Sequence, residues 1–286
     1  MWRDLMSKQP KRVFISIDME GITGIVNWEQ TGGQTREYEV GRKLMVGDLN
    51  AAIEGALEAG AEEIVVSDAH GGMRNIQPED LHEAAVLVRG SPKPYSMMEG
   101  IGPDFDAAMF IGYHARMGAP RAILCHTYSG ATVESIHING LEVGETGLNA
   151  ALAGHYGVPV VFISGDEAVA EEARGIIPNI TAAVVKWAVG RQAARCLHPK
   201  KARELIKRKA AEALRNLDRV EPFRFEPPIE VRLKFFNPLM ADVAELLPYV
   251  ERLDGTTIKA VYKDYPEAYC GTRAAIYIAG TTVRRR

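Results

Sequence analysis

Cysteine is scarce in this chain: three in 286 residues, Cys125, Cys196 and Cys270, far apart and without C-x-x-C spacing. That pattern excludes a disulfide framework and a structural zinc knot built on thiolates. Net charge is small too, −3 at pH 7, so nothing marks the chain for nucleic acid or for an anionic membrane surface. No apolar run approaches the roughly 20 residues a membrane span needs. The segment Met1 to Arg12 lacks the apolar stretch of a secretory signal. The expected compartment is the cytoplasm. Internal repeats, low-complexity tracts, a coiled-coil pattern and a Gly-rich phosphate loop are missing as well. What is left is the composition of an ordinary globular protein, 47% hydrophobic and 25% charged, long enough for one large or two medium domains.

Residues 1–11 read as a loose arm. Val13 to Ile17 is a short apolar run with the character of a buried strand, and a Gly-rich loop and a helix over Thr35 to Ala59 follow. Strands are expected at Glu63 to Ser67, Ala85 to Val88, Ala107 to Gly112, Ala122 to Leu124 and Val158 to Ser164. Asn139-Gly140 between apolar residues predicts a hairpin over Ile136 to Val143. Helices are expected at Leu148 to Tyr156 and at Glu167 to about Gly175. Strands alternating with helices predict an α/β fold with a mostly parallel sheet sandwiched by helices. This unit is expected over residues 12–190. Beyond about Arg191 a charged helix, Lys200 to Leu217, precedes the break Glu226-Pro227-Pro228. A strand at Glu230 to Phe235, a helix at Pro238 to Leu247, and strands at Thr257 to Tyr262 and Ala274 to Ile278 then predict a smaller α+β domain, 191–286, for assembly or cleft shaping.

The polar residues that could do chemistry recur at strand ends, where parallel sheets gather their ligands. Asp18 and Glu20, spaced i, i+2 on an extended segment, aim into one volume. Two carboxylates that close repel unless a cation lies between them. An acidic strand-to-loop turn is the plain alternative. His70 and His114 each follow a strand, and a loop histidine alone is usually a solvated residue or a cap. Glu145 follows the hairpin between Gly144 and Gly147, where a helix-start acid is the ordinary reading. Together the five form a mixed nitrogen and oxygen set suited to zinc, manganese or cobalt. Two ions sharing one carboxylate, Asp18, would use the set economically. His126 stands as acid/base candidate outside the set. Cys125 beside it faces the other way on an extended segment and is read as packing. Asp68 and Asp166 are open between orienting a histidine ring and capping a turn or helix. His82, His137, His155 and His198 have no partner pattern.

These residues lie in Ser16-Ile17-Asp18-Met19-Glu20-Gly21, Ser67-Asp68-Ala69-His70, Gly112-Tyr113-His114-Ala115-Arg116 and Val143-Gly144-Glu145-Thr146-Gly147-Leu148-Asn149. In order and spacing the series resembles the D-aminopeptidase family of the dipeptide-transport operon type, from about Arg12 to the end of the last strand. The resemblance implies two zinc ions per subunit on Asp18, Glu20, His70, His114 and Glu145, with Asp18 bridging. It implies His126 as the catalytic histidine, although the interval from His114 is about one residue longer than the family's. It also implies removal of an N-terminal D-amino acid, such as D-alanine, from short peptides or amides, and a ring-shaped homodecamer with sites facing an inner chamber. The expected partners are thus short D-amino-acid peptides and further copies of the chain, with neither nucleic acid nor membrane. Two readings compete with this one. A dinuclear site can serve L-peptides or phosphoesters, with Arg116 as the obvious anion partner. A peptide-binding accessory protein of a transport system would carry a structural metal, which is usually closed by four ligands and tends toward cysteine.

Overall fold

The computed structural model describes residues 10–283. The arm expected at residues 1–11 falls, up to residue 9, outside the described residues. In chain order the strands are β1 (Arg12–Ile17), β2 (Glu63–Asp68), β3 (Ala85–Val88), β4 (Ala107–Tyr113), β5 (Val133–Ile138), β6 (Leu141–Glu142), β7 (Val160–Asp166), β8 (Thr181–Gly190), β9 (Ala193–Cys196), β10 (Ile229–Phe235), β11 (Glu251–Arg252) and β12 (Thr257–Tyr262). The helices are α1 (Arg36–Glu58), α2 (Glu145–His155), α3 (Glu167–Ile176), α4 (Pro199–Arg215), α5 (Pro238–Ala244) and α6 (Tyr265–Gly280).

The first sheet has the order β3-β2-β1-β4-β7-β8-β9 and is parallel except for its last pair. Its central strands are mostly apolar and almost wholly buried, as parallel strands covered by helices must be. From β1 the chain proceeds through α1 to β2 and β3 on one side. From β4 it proceeds through α2, β7 and α3 to β8 on the other. Right-handed crossovers in opposite directions put the helices on opposite faces, and the order reverses between β1 and β4. The crevice beyond the carboxyl ends of those two strands is where such sheets bind ligands. α4 packs along α1 on one face, and α2 and α3 share the other.

The second sheet, β11-β12-β10-β5-β6, is wholly antiparallel and carries α5 and α6. Its β5–β6 hairpin turns at Asn139 and Gly140, both at positive φ, as the sequence requires. Sheet membership crosses residue 190 in both directions: β5 and β6 lie in the second sheet, β9 in the first.

Two local expectations differ. Ala122–Leu124 is buried but forms no ladder, because Ile123 N–H is taken by Asp166 Oδ2 (2.8 Å) and Leu124 N–H by Arg191 O (2.9 Å). Leu124, at φ 50°, could not continue a strand. Ala274–Ile278 lies inside α6, whose start is set by Asp264 accepting from Glu267 N–H and by a proline in the first turn. Buried Ala268, Thr272, Ala275, Ile276 and Ala279 then fall at helical spacing. The strand β8 occupies a stretch for which the sequence suggested no element.

Candidate metal centre

Asp18 and Glu20 leave the end of β1 on the same side of the chain, and both are buried. Each places an oxygen 3.0 Å from His70 Nδ1. The loop that carries them is fastened to the sheet by Lys186 of β8. Its fully buried ammonium donates to the carbonyls of Glu20, Ile22 (3.0 Å) and Ile25 (2.6 Å), one for each of its protons. Burial pushes the Lys186 amine down to about 8, so it remains charged at neutral pH. Gly21 completes the fit: its N–H donates to Gly112 O at 2.8 Å, and a Cβ there would run into the Tyr113 carbonyl.

The histidines converge from separate elements. His70 follows β2, and its Nε2 lies 2.7 Å from Thr31 O. His114 follows β4, with Nδ1 3.0 Å from Ala115 O. His126, in the segment between β4 and β5, has Nδ1 2.9 Å from Leu124 O. A carbonyl oxygen only accepts, so each of these nitrogens carries hydrogen, and the other nitrogen of each ring is the one turned to the carboxylates. His114 Nε2 is 3.3 Å from Asp18 Oδ2 and 3.4 Å from Glu145 Oε1. His126 Nε2 is 3.9 Å from Glu145 Oε1, and its ring stacks on His114 with centroids 4.0 Å apart. Glu145 is the first residue of α2, so it lies at the favourable end of that helix as well as in the site. Its Oε1 accepts from Tyr128 N–H at 2.7 Å.

Every sequence-predicted site residue therefore reaches one place: Asp18, Glu20, His70, His114, Glu145 and His126. One ligand atom each from Asp18, Glu20 and His114 lie within 4.8 Å of one another, and so do those from His114, His126 and Glu145. Two buried atoms in this cluster, Glu20 Oε2 and His114 Nε2, have no hydrogen-bond partner. Imidazole lone pairs aimed at carboxylates are repulsive unless a proton or a metal cation stands between them. The same carboxylates favour a proton there. Burial opposes charge on His70, but Glu20 and Asp18 raise its pKa well above the ordinary value, and Glu145 and Asp18 do the same for His114. Burial would lift Asp18, but His114 and His70 hold its carboxyl well below the usual range. A cysteine-free nitrogen and oxygen set with unpartnered, convergent donors fits zinc-type divalent ions.

Other expectations sort themselves by contact. Asp68 accepts from Asn75 N–H and Nδ2 and from Ile76 N–H (2.6, 2.7 and 3.0 Å), fastening the loop that carries His70. Asp166 caps α3 through Val169 N–H (2.9 Å). Neither orients a ring. Arg116 pairs with Glu142 (3.1 Å) instead of facing the cluster. Cys125 is buried away from it, with Ala188 and Arg191 about a separate hollow. Sequence reading missed Lys186, although a lone lysine inside the apolar run Ala182 to Ala188 was a signal. It also missed Thr31 and Leu124, which act through their carbonyls and carry no side-chain signature. Trp28, edge-on to His126 at 5.4 Å, was missed as well.

The D-aminopeptidase family profile, peptidase family M55, matches residues 11–274. A D-aminopeptidase of Bacillus subtilis (strain 168) is 40% identical over 259 residues, spanning 90% of this chain and 94% of that one. The solved structure of the zinc-dependent D-aminopeptidase DppA from Bacillus subtilis, described as a self-compartmentalizing protease, superposes with a TM-score of 0.93 at 38% identity. The superposition covers 96% of this chain and 100% of that chain.

Proposed function

Because this chain belongs to the D-aminopeptidase family, peptidase family M55, we propose that it is a zinc-dependent aminopeptidase removing an N-terminal D-amino acid, such as D-alanine, from short peptides or amides. Asp18, Glu20, His70, His114 and Glu145 would hold two zinc ions. The observation that carries this reading is the aim of Asp18: Oδ1 faces His70 at 3.0 Å and Oδ2 faces His114 at 3.3 Å. One carboxylate thus addresses two separate histidines, as a shared ligand must. The zinc pair, when bound, supplies Lewis acidity toward the scissile carbonyl and acidifies water at neutral pH.

The chain's own residues do the rest. The pocket that would hold the ions would also take the substrate's free amino group. His126, fixed through Nδ1 by Leu124 O, presents Nε2 to the same cavity. As an imidazolium it gives the Nε2 proton to the departing amine nitrogen or holds charge developing on the carbonyl oxygen. Trp28 and the stacked His114 ring limit its rotation.

Assembly belongs to the same proposal: a homo-oligomer, and by family resemblance a ring of ten with enclosed sites. Exposed apolar side chains concentrated within residues 236–253 support it, among them Leu239 (56%), Leu246 (81%) and Tyr249 (91%). No helix of the described residues is long and apolar enough to cross a membrane, and a cytoplasmic location is part of this reading.

Hydrolysis of D-alanyl amide by protein stripped with a chelator, before and after zinc is returned, tests the proposal. The expected outcome is a loss of at least about a hundredfold, with recovery on zinc addition. Full activity at zero metal content overturns the zinc reading, and equal rates on L-alanyl amide overturn the D-selectivity.

A further inference from the structure

The cavity lined by Asp18, His70, His126 and Glu145, about 670 Å³, has a second end built by α6. Arg273 lines it and is 8% exposed. Its guanidinium lies between two rings, 4.7 Å from the centroid of Tyr128 and 4.8 Å from that of Tyr277, and Nη2 donates to the Tyr277 hydroxyl. Nη1 is buried with no hydrogen-bond partner, and the groups that face this side chain are the phenols of Tyr128, Tyr269 and Tyr277. A guanidinium cannot shed its proton, so a buried one without a counter-charge is costly to keep.

A second polar atom at this end is also unpartnered. Ser96 Oγ is buried without a hydrogen bond, on a residue held at φ 48°, and it lines the same cavity. Strained backbone beside unsatisfied groups is a pattern of ligand sites. Both residues line this cavity, and the segment carrying Ser96 is fastened to α6. Cys270, one turn before Arg273, has Sγ 3.7 Å from Pro94 O, and Tyr269 reaches Met97 through Asn149. Tyr128 joins the two ends of the cavity: its N–H donates to Glu145, and its ring lies under Arg273.

We propose that Arg273 and Ser96 form the subsite for the terminal carboxylate of a short peptide, so that the favoured substrates are free di- or tripeptides. A guanidinium and a hydroxyl match the two oxygens of a carboxylate, with Nη1 and Oγ as the donors. Tyr277 is 54% exposed and has room to swing aside and admit the anion. The separation fits too. The metal-site end takes the amino group and Arg273 takes the carboxylate, with Tyr128 spanning the interval between Glu145 and Arg273. An extended peptide covers about 3.3–3.6 Å per residue, so two or three residues reach across.

The inference rests on the peptidase reading, and its test separates the two. Zinc-loaded, full-length protein is titrated with a dipeptide analogue whose scissile amide is reduced to an amine, as free acid and as C-terminal amide. In parallel, hydrolysis of D-alanyl-D-alanine is compared with that of its amide. The acid is expected to bind about 10- to 100-fold more tightly. Arg273→Leu should remove that preference by raising KM for the acid, leaving kcat for both and KM for the amide within about threefold. Arg273→Lys should retain part of it, and Ser96→Ala should weaken it by about three- to tenfold. No acid preference in the wild-type protein overturns the subsite, as does an equal loss on acid and amide in Arg273→Leu. An acid preference that depends on Arg273, with neither peptide hydrolysed, leaves the subsite standing and overturns the peptidase.

Discussion

At the scale of single residues, the carbonyls of Thr31, Ala115 and Leu124 decide which nitrogen each histidine turns toward the carboxylates. Such positioning is usual around metal-binding histidines, and loss of an orienting partner commonly costs 10- to 100-fold in affinity. Asp68 acts one step further out by holding the loop after β2 closed. Asp68→Ala strands the amides of Asn75 and Ile76. It should cost about 2–4 kcal/mol of stability in a denaturant titration and at least about tenfold in zinc retention on dialysis. Unchanged zinc content in a stably folded variant would show that His70 needs no such support. The carboxylate and imidazole groups were legible because their chemistry is in their side chains. Asp68 and Asp166 were legible only as a pair of alternatives, and contact geometry resolved both as caps. The orienting carbonyls were not legible at all, since any residue supplies one.

At the scale of elements, the apolar runs of β1, β2, β4 and β7 are nearly continuous and were read close to their true limits. Ala274 to Ile278 misled because five small or apolar residues carry no period of their own. The signals that decide α6, Asp264 and Pro266, lie two to three turns upstream. The pairing of α1 with α4 was equally hidden, because it depends on what is missing from a side chain. A Cβ at Gly55 would run into Lys207 O and come within 3.0 Å of Ala210 Cβ. Helix propensity favours alanine over glycine by about 1 kcal/mol, while forcing two packed backbones apart costs about 1–3 kcal/mol. Gly55→Ala is therefore expected to lower stability by up to about 2 kcal/mol in urea unfolding, with activity retained. A variant as stable as the parent would mean that the helices are not in close contact there.

At the scale of the whole molecule, the site lies where strand order reverses, between β1 and β4. The alternating pattern pointed to that location without fixing which strands neighbour each other. The second sheet recruits β5 and β6 from the middle of the chain, a pairing that sequence order conceals. If the apolar side chains near α5 mediate assembly, Leu246→Glu combined with Tyr249→Glu should shift the mass seen by light scattering to smaller species, with circular dichroism unchanged. An unaltered mass would place the subunit contacts elsewhere.

The threefold grip of Lys186 on the loop after β1 has one more consequence. It gives that loop its shape from within the polypeptide, through a cation that is covalently part of the chain and cannot be dialysed away. Folding and ion uptake are then separable events. If the site binds divalent ions as proposed, they would enter a loop already shaped by Lys186.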